Sequence, residues 1–490
     1  MSIFHASWQR LDQLQFDRWL IGILALALGL SLYRLGHESL WIDELYSIWD
    51  AQGLPQTFDP ERPLYYLLLR VWLLGGTGEV WLRSLSVVAG LFAVGLTYQL
   101  AKDAIGLAVG RVAAIALALS PLFMNYAQMV RMYALATALG LAGSWAFLKL
   151  LQSPHQPAQR RLQLTWIGLR ILMLLTTPTT ATILVADGVL VVWRFRQAPR
   201  TLLRWAIAFS LIGLAVLPSF WATWGARATP ETLATAETIS PTLILGKLRK
   251  FAVFPFPMPT PAIAWFYKIF TLGLWGLLLS GVVLGRQSQN RWYVAIWALL
   301  PPLCSGLLSP GLFTTDRYLL FTLPYLLILV AVGLVAVARR QRWLGIACAV
   351  VYLLAAGQGL HRYYQVQDRQ DWRGMMATIQ AQQQPGDMVL IGAEHNLEKA
   401  IAALGYYHHD SLPFYALSRR DCSQLELPEN TTEIQRIWLI CDQKPTLNPQ
   451  PNYSFRQKFV NWGFYQQNSS FWLLRIDGRA DLLTPKINPS

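Results

Sequence analysis

The sequence predicts a polytopic α-helical membrane protein with a small soluble α/β domain at its C-terminal end. Three observations lead there. The 490 residues are 54% hydrophobic but only 14% charged, with a mean hydropathy of +0.34, whereas soluble domains are about 25% charged. Apolar runs of spanning length recur as far as Leu360. From about Gln365 onward those runs give way to polar sequence with short strand-like segments.

The runs are Trp19–Leu35, Val80–Leu100, Val112–Met124, Tyr133–Leu151, Leu164–Thr177, Ala181–Trp193, Trp205–Trp224, Ala262–Leu284, Trp292–Leu308, Tyr318–Ala338 and Trp343–Leu360, about eleven helices in all. The first is too long for a cleaved signal and lacks a small-residue cleavage site, so it reads as an anchor. Positive charge sits at every second connection: Arg10 and Arg18, Lys102 and Arg111, Lys149 with Arg160 and Arg161, Arg194 to Arg204, Arg286 and Arg291, and Arg339 to Arg342. Basic loops stay inside, which predicts a multi-pass plasma (inner) membrane protein with a cytoplasmic N-terminus and an extracytoplasmic tail. The net charge of +14 is therefore a topology signal, and nucleic acid is not an expected partner.

The outer side then receives the loop 37–66, the Asn125–Tyr133 turn, the long Gly225–Pro261 loop, Ser309–Arg317 and the tail. Pro63–Gly76 is apolar but too short to span, and reads as an interfacial helix. The chain divides into a membrane domain, 1–364, and a soluble domain, 365–490. In the latter Trp372–Gln384 has helical spacing and ends at the Pro385-Gly386 turn, while Met388–Ile391, Arg436–Cys441 and Phe471–Ile476 read as strands. Cys422 and Cys441 are the cysteines outside the apolar runs, and an oxidising compartment permits a bridge between them; two free thiols are the alternative. No CxxC or His/Cys cluster suggests structural zinc.

The first loop gathers Glu38, Asp43, Glu44, Asp50, Asp59, Glu61 and Arg62 among Trp41, Tyr46, Trp49, Phe58, Tyr65 and Tyr66. Membrane proteins seldom place so many acids together without use. Asp43-Glu44 is the sharpest pair: a carboxylate there can act as general base or metal ligand, or the two can be capping acids on a short helix. Arg131, in NYAQMVRMY, and Arg317, in TDRY, stand on the face where the topology disfavours positive charge. Each can grip a phosphate through its forked donors, or simply anchor the helix at the interface. Arg62 and Arg70 are further candidates. His37 and Glu61 flank the same loop, and a lone histidine is more often structural. There is no P-loop, GxGxxG or cytoplasmic DxD, and Asp187 is the main acid in mid-span.

The blocks LWIDELYS, ERPLYYLLLRVW, EVWLRSLSVVAGLFAVGLTYQLAKD and SPLFMNYAQMVRMYAL, followed by TTDRYLLFTLPYLLIL and DWRGMMATIQAQQQPGDMVL, resemble in order and spacing the protein O-mannosyltransferase-like family of bacterial GT-C glycosyltransferases, also called dolichyl-phosphate-mannose-protein mannosyltransferase-like. The likeness spans about residues 15–395 in scattered blocks. It implies a GT-C fold and inverting transfer of a sugar from a polyprenyl-phosphate donor, on the outer face, to an envelope acceptor such as a glycan, a lipid or a protein hydroxyl. It makes Asp43 the catalytic base with Glu44 beside it; a phosphate leaving group needs only positive charge, which Arg131, Arg317 and Arg62 are the candidates to supply. Trp41, Tyr133, Tyr318, Glu61 and Tyr65 are left for substrate contacts. Glu61-Arg62-Pro63 stands where many members have His-Pro or Pro-Pro, and Thr177–Thr180 where many have a histidine. No metal ligand or cofactor is assigned; a divalent cation is the one candidate. A transporter or flippase of a lipid-linked glycan, and a non-catalytic envelope assembly protein, are the alternative readings.

Overall fold

The structure, a computed structural model, describes residues 17–53, 62–152, 159–227, 239–253, 261–284, 290–365, 371–392, 397–407, 414–416, 436–441, 453–460 and 470–477. Glu61 and Cys422 lie outside them. In chain order the helices are α1 (Arg18–Leu32), α2 (Ile42–Gly53), α3 (Pro63–Leu73), α4 (Glu79–Ala104), α5 (Leu107–Ala118), α6 (Pro121–Ala127), α7 (Tyr133–Gln152), α8 (Gln159–Thr176), α9 (Thr182–Phe195), α10 (Pro199–Arg227), α11 (Pro241–Val253), α12 (Pro261–Leu284), α13 (Arg291–Leu308), α14 (Pro310–Thr314), α15 (Asp316–Leu319), α16 (Leu323–Arg340), α17 (Arg342–Gln365), α18 (Trp372–Gln382) and α19 (Leu397–Tyr407). The strands are β1 (Asp387–Gly392), β2 (Phe414–Ala416), β3 (Arg436–Cys441), β4 (Tyr453–Val460) and β5 (Ser470–Asp477).

All eleven apolar runs fall on helices. Eight helical segments of the described residues are long and apolar enough to cross a membrane, or nine if the bent pair α5–α6 is one span. The remaining runs are α1, which has 15 residues, and α8, which carries Arg160, Arg161 and Arg170. The chain is a multi-pass membrane protein.

The contacts divide the chain into two compact units. One comprises Met1–Tyr33, Pro55–Gly76 and Trp81–Tyr363; the other comprises Arg34–Leu54, Thr77–Val80 and Tyr364–Ser490. In the first unit α16 is central, with every residue from Leu323 to Gly333 buried, as expected of a helix that is apolar all round. It packs closely on α12, where a Cβ on Gly333 would collide with the Leu277 carbonyl, and one on Gly281 with the Leu329 carbonyl. Small residues that let helix backbones approach are a usual solution inside membranes.

Asp187 is not a transport acid standing alone. Its Oδ2 accepts from Arg170 Nε (2.8 Å) and Trp166 Nε1 (3.0 Å), and its Oδ1 from Trp297 Nε1 (2.8 Å) and Arg170 Nη2 (3.1 Å). Arg170 also donates to Ser144 Oγ and the Gly140 carbonyl, both at 2.9 Å, with Asp187 and Arg170 fully buried. The pair ties α7, α8, α9 and α13 together.

Two stretches differ from the sequence expectation. Val112–Met124 is not one straight helix: α5 ends at Ala118 and α6 starts at Pro121, with a 65° bend between them. Proline cannot donate to the preceding turn, and Ser120 Oγ caps the new helix by accepting from the Phe123 N–H at 3.3 Å. The expected Asn125–Tyr133 turn accordingly loses Asn125–Ala127 to α6. The expected Gly225–Pro261 loop contains α11, a helix whose LGKLRKF sequence is too charged to register as an apolar run.

The second unit holds a five-stranded sheet in the order β2-β1-β3-β5-β4. β1 is parallel to β2 and β3; β5 runs antiparallel to β3 and β4. The helix and three strands expected in the tail are present; β2, β4 and α19 are additional. Gly386, with φ of 86°, makes the turn into β1. Cys441 is disulfide-bonded, while Cys304 and Cys348 are free.

Candidate active site

In the first unit, Pro63 at the first position of α3 fixes where that helix begins, which sets Arg62 at its entrance. Arg62 Nη1 donates to the Tyr66 hydroxyl, one turn on, at 3.3 Å. Tyr65 and Tyr66 are buried, with their rings edge to face at 5.9 Å. Arg131 sits in the turn between α6 and α7 and is almost fully buried. Its carbonyl accepts from Ser86 Oγ on α4 at 3.2 Å, and its guanidinium lies 5.8 Å from the centroid of the Tyr133 ring. Tyr133 in turn meets Tyr126 edge to face at 5.0 Å.

Arg62 and Arg131 are close enough to feel each other's charge. Burial works against the charge on Arg62, Tyr66 supports it and Arg131 opposes it; the net direction of its pKa is upward. Each guanidinium lies against a tyrosine, and each can grip a phosphate through its forked donors. Gln128, which sequence reasoning passed over, positions the turn that carries Arg131. Its Nε2 donates to the carbonyls of Ser31 (2.8 Å) and Tyr33 (3.0 Å), and its Oε1 accepts from the Tyr363 hydroxyl at 2.6 Å.

Arg317 lies on the short α15, with its guanidinium 5.5 Å from the Tyr318 ring centroid. Beside it, buried Asp316 is bridged by Lys247 Nζ at 2.7 Å and by Lys250, both from α11. Lys247 also donates to the Thr314 carbonyl at 2.9 Å. These lysines were the second group missed. The signal was present: Lys247, Arg249 and Lys250 are positive charges in a connection that the alternation assigns to the outer side.

In the second unit, Asp43 and Glu44 occupy the first turn of α2. They are not equivalent. Glu44 is fully buried, and its Oε2 accepts from the Trp41 backbone N–H at 2.8 Å, reaching back to the helix start as the acid of a capping box does. Asp43 is only half-buried, and its backbone carbonyl accepts from Ser47 Oγ at 3.1 Å. The capping reading therefore holds for Glu44, while Asp43 is half-exposed.

The segment leading into α2 is held by the tail. The Tyr407 hydroxyl on α19 accepts from the Leu40 N–H at 2.6 Å and donates to Glu79 Oε1 at 2.5 Å. Burial first, then Glu79, push this phenol well above its ordinary range. Arg373 on α18 pairs with Glu79 at 2.8 Å and donates to the carbonyls of Gly36 (3.2 Å) and His37 (2.5 Å). The Tyr406 hydroxyl donates to the Thr77 carbonyl at 2.6 Å. His37 contributes a backbone acceptor here and lies against Arg34, in keeping with a structural role. Among the described residues, no group of three or more His, Cys, Asp or Glu side chains is placed to hold a metal ion.

No family model and no curated protein matches the chain. Solved structures do. ArnT from Cupriavidus metallidurans bound to undecaprenyl phosphate superposes with a TM-score of 0.54 at 14% identity, covering 96% of this chain and 99% of that one. The fold is that of the GT-C glycosyltransferases. The archaeal oligosaccharyltransferase AglB from Archaeoglobus fulgidus, in complex with an inhibitory peptide and a dolichol-phosphate, gives a TM-score of 0.50 at 12% identity over 86% of this chain and 69% of that one. The arabinofuranosyltransferase AftD from Mycobacteria gives 0.50 at 15% identity, over 94% of this chain and 40% of that one. The expected GT-C fold thus stands on tertiary structure, at identities far below those that transmit a substrate.

Proposed function

We propose that this GT-C chain transfers a sugar from a polyprenyl-phosphate donor to an acceptor hydroxyl in the cell envelope, on the outer face of the inner membrane. The observation that carries the reading is the placement of Arg62 on the Tyr66 hydroxyl and of buried Arg131 on the Tyr133 ring, both at the ends of helices in the first unit. Forked guanidinium donors match the oxygens of a phosphate, and a polyprenyl-phosphate sugar carries one. The ArnT and AglB structures contain undecaprenyl phosphate and dolichol-phosphate, which suits the same class of donor here.

In this reading Arg62 and Arg131, with Arg317, bind the phosphate and stabilise the negative charge that builds on it as it leaves. A phosphate leaving group needs no proton. Asp43 takes the proton from the acceptor hydroxyl as its oxygen attacks the anomeric carbon. The carbon–oxygen bond to phosphate breaks, its electron pair departs on the phosphate oxygen, and the configuration inverts. Glu44 holds the start of α2 so that Asp43 is fixed in place. Trp41 and Tyr318, both partly exposed, offer faces for sugar or isoprenoid, while buried Tyr65 and Tyr133 frame the arginines.

The test uses membranes containing the full chain and a panel of labelled polyprenyl-phosphate sugars. Label is expected to reach an envelope acceptor with the wild type, and to be lost with Asp43→Asn and with the double variant R62A/R131A. Undiminished transfer by both variants overturns the reading. Mass spectrometry of envelope glycans and glycoproteins, with and without the chain, then names the acceptor.

A further inference from the structure

The ends of α9 and α13 enclose a cavity of about 510 Å³ lined by Trp193, Arg194, Arg196, Gln197, Trp292 and Tyr293. It lies in the first unit and involves none of the residues given a part in sugar transfer. Its walls are of two kinds. Trp193, Trp292 and Tyr293 form an aromatic rim, with Trp193 and Tyr293 edge to face at 5.9 Å. Arg194 and Arg196 are exposed and have no carboxylate partner among the described residues. Next to the rim, Arg291 encloses its Nε and Nη1 with no hydrogen-bond partner among the described residues, its guanidinium 5.3 Å from the Trp292 ring centroid. Enclosed donors without an acceptor are rare and call for one.

Below this rim the helix surfaces are apolar and exposed. Val185, Val189 and Val192 make a stripe on α9 that leads to Trp193, and Leu299, Leu303 and Leu307 one on α13 that leads from Trp292. Cationic side chains, then aromatic rings, then bare aliphatic surface is the order in which a phospholipid presents phosphate, glycerol and chains. A volume of 510 Å³ is also within the usual range for ligand pockets, about 300–1,000 Å³.

We propose that this cavity binds the headgroup of an anionic phospholipid, with its phosphate on Arg194 and Arg196 and its chains along the stripes of α9 and α13. The charge alternation places the site on the cytoplasmic face, opposite the proposed chemistry. The arginines alone are explained by topology; the aromatic cavity and the enclosed donors of Arg291 are not.

Native mass spectrometry of the purified full-length protein tests this, with phosphatidylglycerol, phosphatidylcholine or inorganic phosphate added. The wild type should retain phosphatidylglycerol about thirtyfold more strongly than R194Q/R196Q, at about a factor of five per basic side chain near an anionic lipid. The charge-matched control R160Q/R161Q should retain it as the wild type does. Should the double variant not fold, R196Q at its exposed position is expected to show the single fivefold loss. Equal retention by R194Q/R196Q and wild type, equal loss in the control, or equal retention of phosphatidylcholine overturns the proposal. Displacement of the lipid by inorganic phosphate at the same concentration overturns it in favour of a free anion.

Discussion

The proposed function gives the neighbours Asp43 and Glu44 separate tasks, and two substitutions should pull them apart. Asp43→Asn is expected to lower sugar transfer by about 10²–10⁴, the usual contribution of a general base, without changing the melting temperature of the purified protein. Glu44→Ala removes a helix-start hydrogen bond from a buried site; it should lower thermal stability by about 1 kcal/mol and reduce activity only in proportion to the folded protein lost. The opposite pattern would exchange their roles. Arg131→Ala should weaken use of the donor more than use of the acceptor, and Arg131→Lys should rescue little, because a lysine keeps the charge but loses the planar fork. The sequence could supply the acids, the aromatics and the misplaced arginines. Apart from the family resemblance, it could not distinguish Asp43 from Glu44, since adjacent positions on a helix differ only in what surrounds them. Nor could it show that Gln128 holds the Arg131 turn, because three of its partners are main-chain or hydroxyl groups distant in the chain.

At the level of elements, the apolar runs were legible because spanning helices must be long and uncharged, a constraint strong enough to survive reading one residue type at a time. The break between α5 and α6 was also written there, in Ser120-Pro121, but an apolar count does not see a cap. α11 and β4 were lost for a related reason: their charged residues conceal them from an apolar count. The buried Arg170–Asp187 pair gives a test of the helix bundle. Asp187→Ala leaves Arg170 enclosed without its carboxylate and should destabilise the protein by about 3–5 kcal/mol, read as a marked fall in melting temperature in detergent; a wild-type melting curve would remove the pair from the framework. In the sheet, Asp387 and Arg436 stand opposite each other at the starts of parallel β1 and β3. Burial alone would raise the Asp387 pKa, but the Arg436 guanidinium at 2.8 Å, the Gln384 N–H and Trp438 hold it below the usual carboxylate range. A carboxyl depressed in the folded state contributes stability above its unfolded pKa of about 3.9, and that contribution disappears as pH falls through the folded value. Amide exchange in β1, corrected for its intrinsic pH dependence, should therefore accelerate in acid for the wild type and change less in Asp387→Asn.

For the whole molecule, the basic-loop pattern predicts that a reporter needing export becomes active when fused after Ser490, and that one fused before the first helix stays inactive; the reverse result would turn the proposed site to the cytoplasm. Composition separates a membrane part from a tail, whereas the contacts group 34–54 and 77–80 with the tail in one compact unit, which composition does not reveal. Nothing in HESLWIDEL announces Tyr407 or Arg373 as its neighbours. That arrangement has a consequence for genetics. Codons 36–44 and codons 373–407 encode parts of one small construction, although most of the reading frame separates them. Damage at Arg373 or Tyr407 should phenocopy damage to the first loop, a frameshift that removes only the final third of the protein should score as a null, and second-site suppressors of a weakened first loop should be recovered at the opposite end of the gene.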